Sequence, residues 1–119
     1  MSTATSIFKI KRNDTLPVLQ VSIGTRGSLG QKIGYDLSGV TGVTFTMVDD
    51  CSNSKIYAQT AQIICTSGGT IQYSWQDGDT DTEGNFYGEF ELRYNTGQRL
   101  SIPTQGGIKI EISKDIDPF

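Results

Sequence analysis

Hydrophobic and polar residues alternate with a period of two along most of the chain. Between Leu19 and Ile23, for example, apolar residues at the odd positions alternate with Gln20 and Ser22. Such alternation predicts a β-strand with one buried side and one solvent-facing side. The pattern recurs in the segments 8–11, 19–23, 43–47, 71–75, 86–94 and 108–112. No window has the 3.6-residue period of an amphipathic helix, so the sequence predicts an all-β protein.

Short runs rich in Gly, Asn, Asp and Ser separate these segments and predict turns between them. About seven to nine strands at this spacing predict an antiparallel, immunoglobulin-like β-sandwich. An up-and-down or Greek-key barrel is the alternative. The length of 119 residues suits one domain, residues 1–119, with short terminal arms.

Charge and composition argue against several classes of protein. The net charge is −3, and basic and acidic residues are interspersed, which disfavours nucleic-acid binding. The sequence contains no run of about eighteen apolar residues, so it predicts no membrane span. Its first residues lack the features of a signal peptide. Synthesis and folding in a cytoplasm are therefore expected. Histidine is absent, which removes the usual proton shuttle and the commonest metal ligand.

The two cysteines are predicted to be reduced thiols. If the segment from Lys55 to Cys65 is one strand, it spans about 30 Å and separates Cys65 from Cys51 near the preceding turn. A disulfide needs Cα atoms within about 7 Å of each other. The two thiols are therefore expected to be too far apart to pair.

An acidic segment from Asp77 to Gly84 is the sharpest candidate for a metal site, because its carboxylates alternate as at the start of a calcium loop. Counted from Asp77, however, position six is Thr82 and position twelve is Gly88, where an EF-hand has Gly and Glu. We predict a polar turn in which Asp side chains bond to backbone N–H groups. A calcium site of another kind is the alternative.

Other motifs also have simpler structural interpretations. Glu89 and Glu91 share one strand face, and without a surrounding constellation they indicate an exposed face rather than a glycosidase pair. Residues 24–30 (GTRGSLG) lack the Gly-Lys-Ser/Thr ending of a phosphate loop and predict a flexible loop. Five aromatic residues fall on inward-facing positions and predict core packing: Tyr73, Trp75, Phe86, Phe90 and Tyr94. We assign no catalytic, cofactor-binding or metal-binding residue, and we expect no enzymatic activity.

Several segments in a fixed order suggest a family. They are 8–17 (FKIKRNDTLP), 35–39 (YDLSG) with 43–47 (VTFTM), 73–75 (YSW), 78–80 (GDT), 84–90 (GNFYGEF), and Ile102-Pro103 followed by 108–112. As an ordered set across nearly the whole chain, they resemble the N-terminal immunoglobulin-like domain of phage baseplate upper proteins. The resemblance implies a β-sandwich that anchors a protein to the tail baseplate, and hence a non-enzymatic virion structural protein.

The family's larger members continue into a spacer and a region that docks a receptor-binding protein, whereas this sequence stops at Phe119. The resemblance therefore implies an accessory subunit in many copies, or a homo-oligomer, whose partners are other virion proteins and neither nucleic acid nor membrane. Its place is left open between baseplate, tail tube, neck and capsid, where it would be a decoration protein. A host-surface or carbohydrate-binding module is a further alternative, with Tyr35, Tyr57 and Tyr87 as exposed aromatics. Residues 1–6 and 115–119 are expected to dock on neighbours, the latter through Ile116 and Phe119.

Overall fold

Eleven β-strands make up the regular structure of residues 7–26, 32–103 and 106–116, the part of the chain that this computed structural model describes. No helix occurs among these residues. The strands are β1 (Phe8–Lys11), β2 (Leu19–Ser22), β3 (Gly24–Arg26), β4 (Lys32–Gly34), β5 (Val40–Asp49), β6 (Ser54–Thr60), β7 (Gln62–Cys65), β8 (Thr70–Tyr73), β9 (Gly84–Tyr94), β10 (Arg99–Ile102) and β11 (Ile108–Ser113).

The strands form two main sheets and a small hairpin. The larger sheet has the order β1-β11-β9-β5-β6, with β10 also pairing to β9, and the smaller has the order β2-β8-β7. The strands β3 and β4 pair with each other. The strands β2, β8 and β7 are separated from β5, β9 and β11 as in an immunoglobulin-like sandwich. Two differences are that β1 lies beside β11 in the larger sheet and that β6 adds an edge strand. The predicted all-β sandwich is confirmed, with eleven strands among the described residues where about seven to nine are predicted. The β1–β11 pair is parallel, unlike the antiparallel remainder.

The segment predicted as a single strand from Lys55 to Cys65 changes sheets at Ala61. The strand β6 pairs with β5 in the larger sheet, and β7 pairs with β8 in the smaller. Ala61 is buried at the crossing, and its N–H donates to the Val43 carbonyl at 2.8 Å. The prediction of one continuous strand is therefore wrong, because a strand at the edge of a sandwich can pass from one sheet to the other.

The glycine-rich segment 24–30 is also only partly the loop that the sequence predicts. Its first three residues form β3, which pairs antiparallel with β4. Residues 27–31 lie outside the described part of the chain. The strand-forming part of this segment escapes sequence analysis because its residues, Gly24, Thr25 and Arg26, include no large apolar side chain that could alternate with polar ones.

An aromatic cluster occupies the space between the sheets. The ring of Phe45 stacks on Tyr73 with centroids 4.7 Å apart and lies 4.9 Å from Phe90 and 6.0 Å from Trp75. These four side chains are buried, as is Phe86. The inward orientation predicted for Tyr73, Trp75, Phe86 and Phe90 is confirmed, and Tyr94 packs half-buried against the same core.

Candidate docking surface

In the acidic segment after β8, the carboxylate of Asp79 is hydrogen-bonded to groups of the protein itself. Asp79 accepts a hydrogen bond from the Tyr73 hydroxyl at 2.6 Å and another from the backbone N–H of Gln76 at 2.7 Å. Burial of the phenol, together with the Asp79 carboxylate, raises the pKa of Tyr73. The predicted polar turn, with an Asp side chain bonded to backbone N–H, is confirmed. Among the described residues, no group of three or more His, Cys, Asp or Glu is placed to hold a metal ion.

Two other carboxylates of this segment, Asp81 and Glu83, form surface ion pairs. Asp81 bonds to the Lys55 ammonium at 2.5 Å and accepts from the Thr82 hydroxyl at 2.9 Å. The bond from Lys55, followed by that from Thr82, lowers the pKa of Asp81. Glu83 lies 3.6 Å from the Arg12 guanidinium. These acidic groups are therefore engaged with cations and donors of the chain itself.

Thr80, in the middle of the same turn, fixes the loop that follows β1. Its side chain is only 1% exposed, and its hydroxyl donates to the Asp14 carbonyl at 2.8 Å. The Asn13 N–H donates to the Thr80 carbonyl at 2.9 Å, and the Trp75 indole N–H donates to the Pro17 carbonyl at 3.0 Å. Segments 8–17, 73–75 and 78–80, which are far apart in sequence, are thus joined by hydrogen bonds.

The two glutamates of β9 lie on a solvent-facing strand surface, as predicted. Glu89 is exposed, whereas Glu91 is partly covered and faces two guanidinium groups. Its carboxylate is 3.1 Å from Arg93 and 3.9 Å from Arg99. Exposed pairs of this kind contribute little to stability. The arrangement is that of a strand surface and does not bring the two carboxylates to a common cleft.

The three tyrosines predicted to be exposed differ in their environments. Tyr57 on β6 is 73% exposed and Tyr87 on β9 is 36% exposed, and both lie on strands rather than loops. Tyr35 is half-buried. The Tyr94 hydroxyl donates to the Tyr35 hydroxyl at 3.5 Å, and this bond, with burial, raises the pKa of Tyr94 to about 12.

Tyr87 lies between two open grooves on the outer face of the larger sheet. One has a volume of about 380 Å³ and is also lined by Val48, Asp50 and Glu89. The other has a volume of about 220 Å³ and is lined by residues that include Ile7 and Lys109. Tyr87 pairs across the sheet with Val48 on β5 and with Lys109 on β11. This outer surface therefore has an aromatic and aliphatic centre with charged residues around it.

Sequence reasoning identifies Tyr87 but not its surroundings. Alternation shows which side chains of one strand share a face, and Tyr87 follows from that rule. The register between strands decides which side chains of β5 and β11 stand next to it. Because loops of irregular length connect these strands, the sequence holds no local signal for that register.

The structure describes both cysteines but only part of the two chain termini that are predicted to dock. Cys51 and Cys65 are free and exposed, and the Cys65 sulfur accepts the Gly68 N–H at 3.3 Å. Of the predicted docking termini, Ile116 is 85% exposed. Residues 1–6 and 117–119, which include Phe119, lie outside the described part of the chain. No helix of the described residues is long and apolar enough to cross a membrane.

Comparison with known proteins adds information about the fold alone. No family model matches the chain, and no curated protein matches it in sequence. Among solved structures, the fold is similar to that of CopC from Methylosinus trichosporium OB3b, with a TM-score of 0.52 and 7% sequence identity. The similarity covers 94% of this chain and 88% of that chain. At this identity, it supports the assignment of a β-sandwich and says nothing about activity.

Proposed function

We propose that this chain is a non-enzymatic structural protein of a bacteriophage particle, an immunoglobulin-like module that docks on other virion subunits as a tail or baseplate accessory. The observation that carries the proposal is the hydrogen-bonded junction around Thr80. Three of the segments on which the family resemblance rests are joined there through Asp14 and Pro17. These three segments therefore lie together in one part of the fold, which supports treating them as one set.

The surface around Tyr87 is the best candidate for contact with a neighbouring subunit. Tyrosine is enriched at the centres of protein interfaces, where its ring provides apolar area and its hydroxyl provides a hydrogen bond. Here the ring stands beside Val48 and Ile7, and the groups around it include Asp50, Glu89 and Lys109. An apolar centre with a polar rim is the usual anatomy of a non-obligate interface.

The proposal is tested by locating the protein and then weakening the contact. Peptide mapping and immunogold labelling of purified particles should find the chain at the tail or baseplate. Tyr87→Ala should reduce its occupancy several-fold, because the loss of a central tyrosine costs roughly 2 kcal/mol or more at an interface. Tyr57→Ala is the matched control, since Tyr57 is more exposed but lies on the edge strand β6.

Each result has a definite meaning for the proposal. Absence of the chain from purified particles overturns the structural role. Labelling of the head alone replaces the tail location with that of a capsid decoration protein. Equal occupancy of the two tyrosine variants and the wild type refutes the Tyr87 surface as the contact.

Carbohydrate binding is a second candidate function, supported by one feature of the same groove. The ring of Tyr87 lines it together with three acidic residues, Asp49, Asp50 and Glu89. Sugars stack on aromatic faces, and carboxylates accept hydrogen bonds from their hydroxyl groups. A glycan array probed with wild-type protein and with Tyr87→Ala tests this function. Binding that the variant loses supports it, and no binding to host-surface glycans refutes it.

A further inference from the structure

Five strands border the two sheets within the described residues, and four of them carry features that hinder pairing with another chain. The strand β1 has Lys9 and Lys11, and β10 has Arg99. The pairing of β6 is interrupted by a bulge at Ala58, whose φ is +48°, and that of β7 by an irregularity at Ile64. The fifth, β2, has the sequence LQVS, with no charge, proline or bulge.

The free edge of β2 continues through Ile23 into β3. The Ile23 N–H donates to the Gly69 carbonyl at 2.8 Å, which extends the β2–β8 register by one pair. The Ile23 carbonyl accepts from the Tyr35 N–H at 2.9 Å. In an extended strand, the N–H and C=O of one residue face the same side, so β8 and β4 lie on the same side of this segment. No other described strand pairs with the opposite side.

Gly69 makes this continuity possible. Its φ is +70°, and a Cβ there would lie 2.5 Å from the Ile23 carbonyl oxygen and 2.8 Å from that of Tyr35. Only glycine tolerates both the backbone conformation and the close approach. The uncovered edge therefore runs from Leu19 to Arg26, a length of about 26 Å at about 3.3 Å per residue.

The backbone hydrogen bonds of this segment alternate between odd- and even-numbered residues, which identifies the groups that face outwards. Because Ile23 bonds to Gly69, the odd residues of the segment bond inwards to β8, and the even residues present their N–H and C=O to the open side. These even residues include Gln20, Ser22 and Gly24. The side chains of Gln20 and Ser22 are already held on the solvent face by Gln72 and Thr70 across the strand pair.

We propose that a second copy of this chain pairs antiparallel with this edge about a two-fold axis at Ser22. In this register, Ser22 faces Ser22 of the partner subunit, and Gln20 faces Gly24 of the partner subunit. Even-numbered residues pair with even-numbered ones and odd with odd. The buried face of one small sheet therefore continues into the buried face of the other, and the solvent face into the solvent face. Pro17, which has no N–H to donate, and Arg26, which carries the one charge of the segment, both lie outside the stretch from Gln20 to Gly24 at the centre of the pair.

Charge selects a second copy as the occupant. Self-pairing about a two-fold axis places similar residues near each other, and opposed like charges destabilise such a pair. The edge from Leu19 to Thr25 has no ionisable side chain, so it meets its own copy without repulsion. The same operation on β1 would bring Lys9 and Lys11 close to their own copies. This dimer does not depend on the role of the chain in a particle.

The first test blocks the outward N–H while leaving the internal ladder intact. Ser22→Pro removes a donor that faces away from β8, a position at which an edge strand accepts proline. The control, Ser22→Ala, also loses the contact with Thr70 but keeps the N–H. By sedimentation equilibrium, the wild type and Ser22→Ala should dimerise, and Ser22→Pro should do so roughly tenfold or more weakly because two N–H donors are lost per dimer.

The second test uses charge and does not depend on the tolerance of the fold for proline. Ser22→Lys and Ser22→Glu should each dimerise more weakly than the wild type. Their equimolar mixture should form a heterodimer that native mass spectrometry resolves. Circular dichroism of each variant confirms that the sandwich is retained.

Two outcomes overturn the dimer. One is a wild type that stays monomeric at high concentration. If the same protein dimerises once residues 1–6 are deleted, the proposal for the full chain is still overturned, because the chain's own first residues would then cover the edge. The other is a wild-type dimer that Ser22→Pro and the two charged variants leave unchanged. A monomeric protein that is still found in particles refutes the dimer and leaves the particle role standing.

Discussion

Gly88 provides a quantitative test of how the aromatic core is packed. A Cβ at this position would lie 2.8 Å from two ring carbons of Phe45 and 2.9 Å from the Ile110 Cδ1. Real Cβ contacts of this length do not occur, so Gly88→Ala requires a neighbour to move. Ile110 is buried, and Phe45 has no exposed surface and is enclosed by Tyr73 and Phe90.

The expected cost combines two opposing effects. Overpacking a well-filled core costs about 1–3 kcal/mol. Replacing glycine in a strand interior returns about 0.5–1 kcal/mol, because the unfolded chain loses conformational freedom. We therefore expect Gly88→Ala to lower the free energy of unfolding by about 1–2 kcal/mol net. For a domain of this size, that corresponds to a melting temperature lower by about 4–8 °C.

Urea unfolding followed by tryptophan fluorescence measures this change. Trp75 is the single tryptophan and its ring lies 6.0 Å from that of Phe45, so it reports on the affected region. Gly42→Ala is the matched control on the paired strand β5, because no atom lies within 4 Å of the position that its methyl group would take. It should be neutral or stabilise by up to about 1 kcal/mol.

A double variant identifies the contact responsible. Phe45→Leu alone leaves a cavity, and in combination with Gly88→Ala the new methyl group should occupy part of it. The double variant should therefore be more stable than the sum of the two single changes predicts, by about 1 kcal/mol. Wild-type stability for Gly88→Ala, or strict additivity with Phe45→Leu, would refute the packing described for this site.

Three further predictions concern Thr80, Tyr94 and the acidic segment. Thr80→Val should lower the free energy of unfolding by about 1–3 kcal/mol, since the Asp14 carbonyl loses its buried donor; urea unfolding measures this, and an unchanged midpoint contradicts it. The folded-state pKa of Tyr94 is raised from 10.0 to about 12, so its contribution to stability is complete below pH 10 and is lost as the pH rises through about 12. Tyr94→Phe should therefore lose less stability than the wild type over that interval, and equal loss contradicts the bond to Tyr35. Millimolar calcium should leave the melting temperature unchanged, and a rise of several degrees that Asp79→Ala abolishes would establish a calcium site instead.

The sequence predicts most of the core because each inward side chain belongs to a local pattern. Phe86, Gly88 and Phe90 alternate with polar residues, and all three face the interior as the alternation requires. The need for a small residue at Gly88 is not local, however. It arises because Phe45 of β5 crosses directly over that position, and the crossing depends on the register between two strands about forty residues apart.

The candidate surfaces are less accessible to sequence analysis for the same reason. Tyr87 follows from alternation, whereas its grooves depend on Val48 and Lys109 from other strands. Alternation predicts β2 as a strand, but nothing in its sequence states that it borders a sheet. Conversely, the change of sheets at Ala61 lies inside a run that reads as continuous strand, because the residues on both sides favour extended structure.

The two proposed contacts belong to different sheets, and this separation makes their consequences independent. The surface around Tyr87 is on the outer face of the larger sheet, and the edge centred on Ser22 borders the smaller one. Their residues share no strand, so substitutions at the two sites should act additively. A subunit could then pair with its own copy through one sheet while the other sheet contacts a different neighbour. Tyr87→Ala should therefore reduce particle occupancy without changing dimerisation, and Ser22→Pro should weaken dimerisation while leaving the Tyr87 contact intact. Loss of both properties in either variant would mean that the two surfaces form one interface.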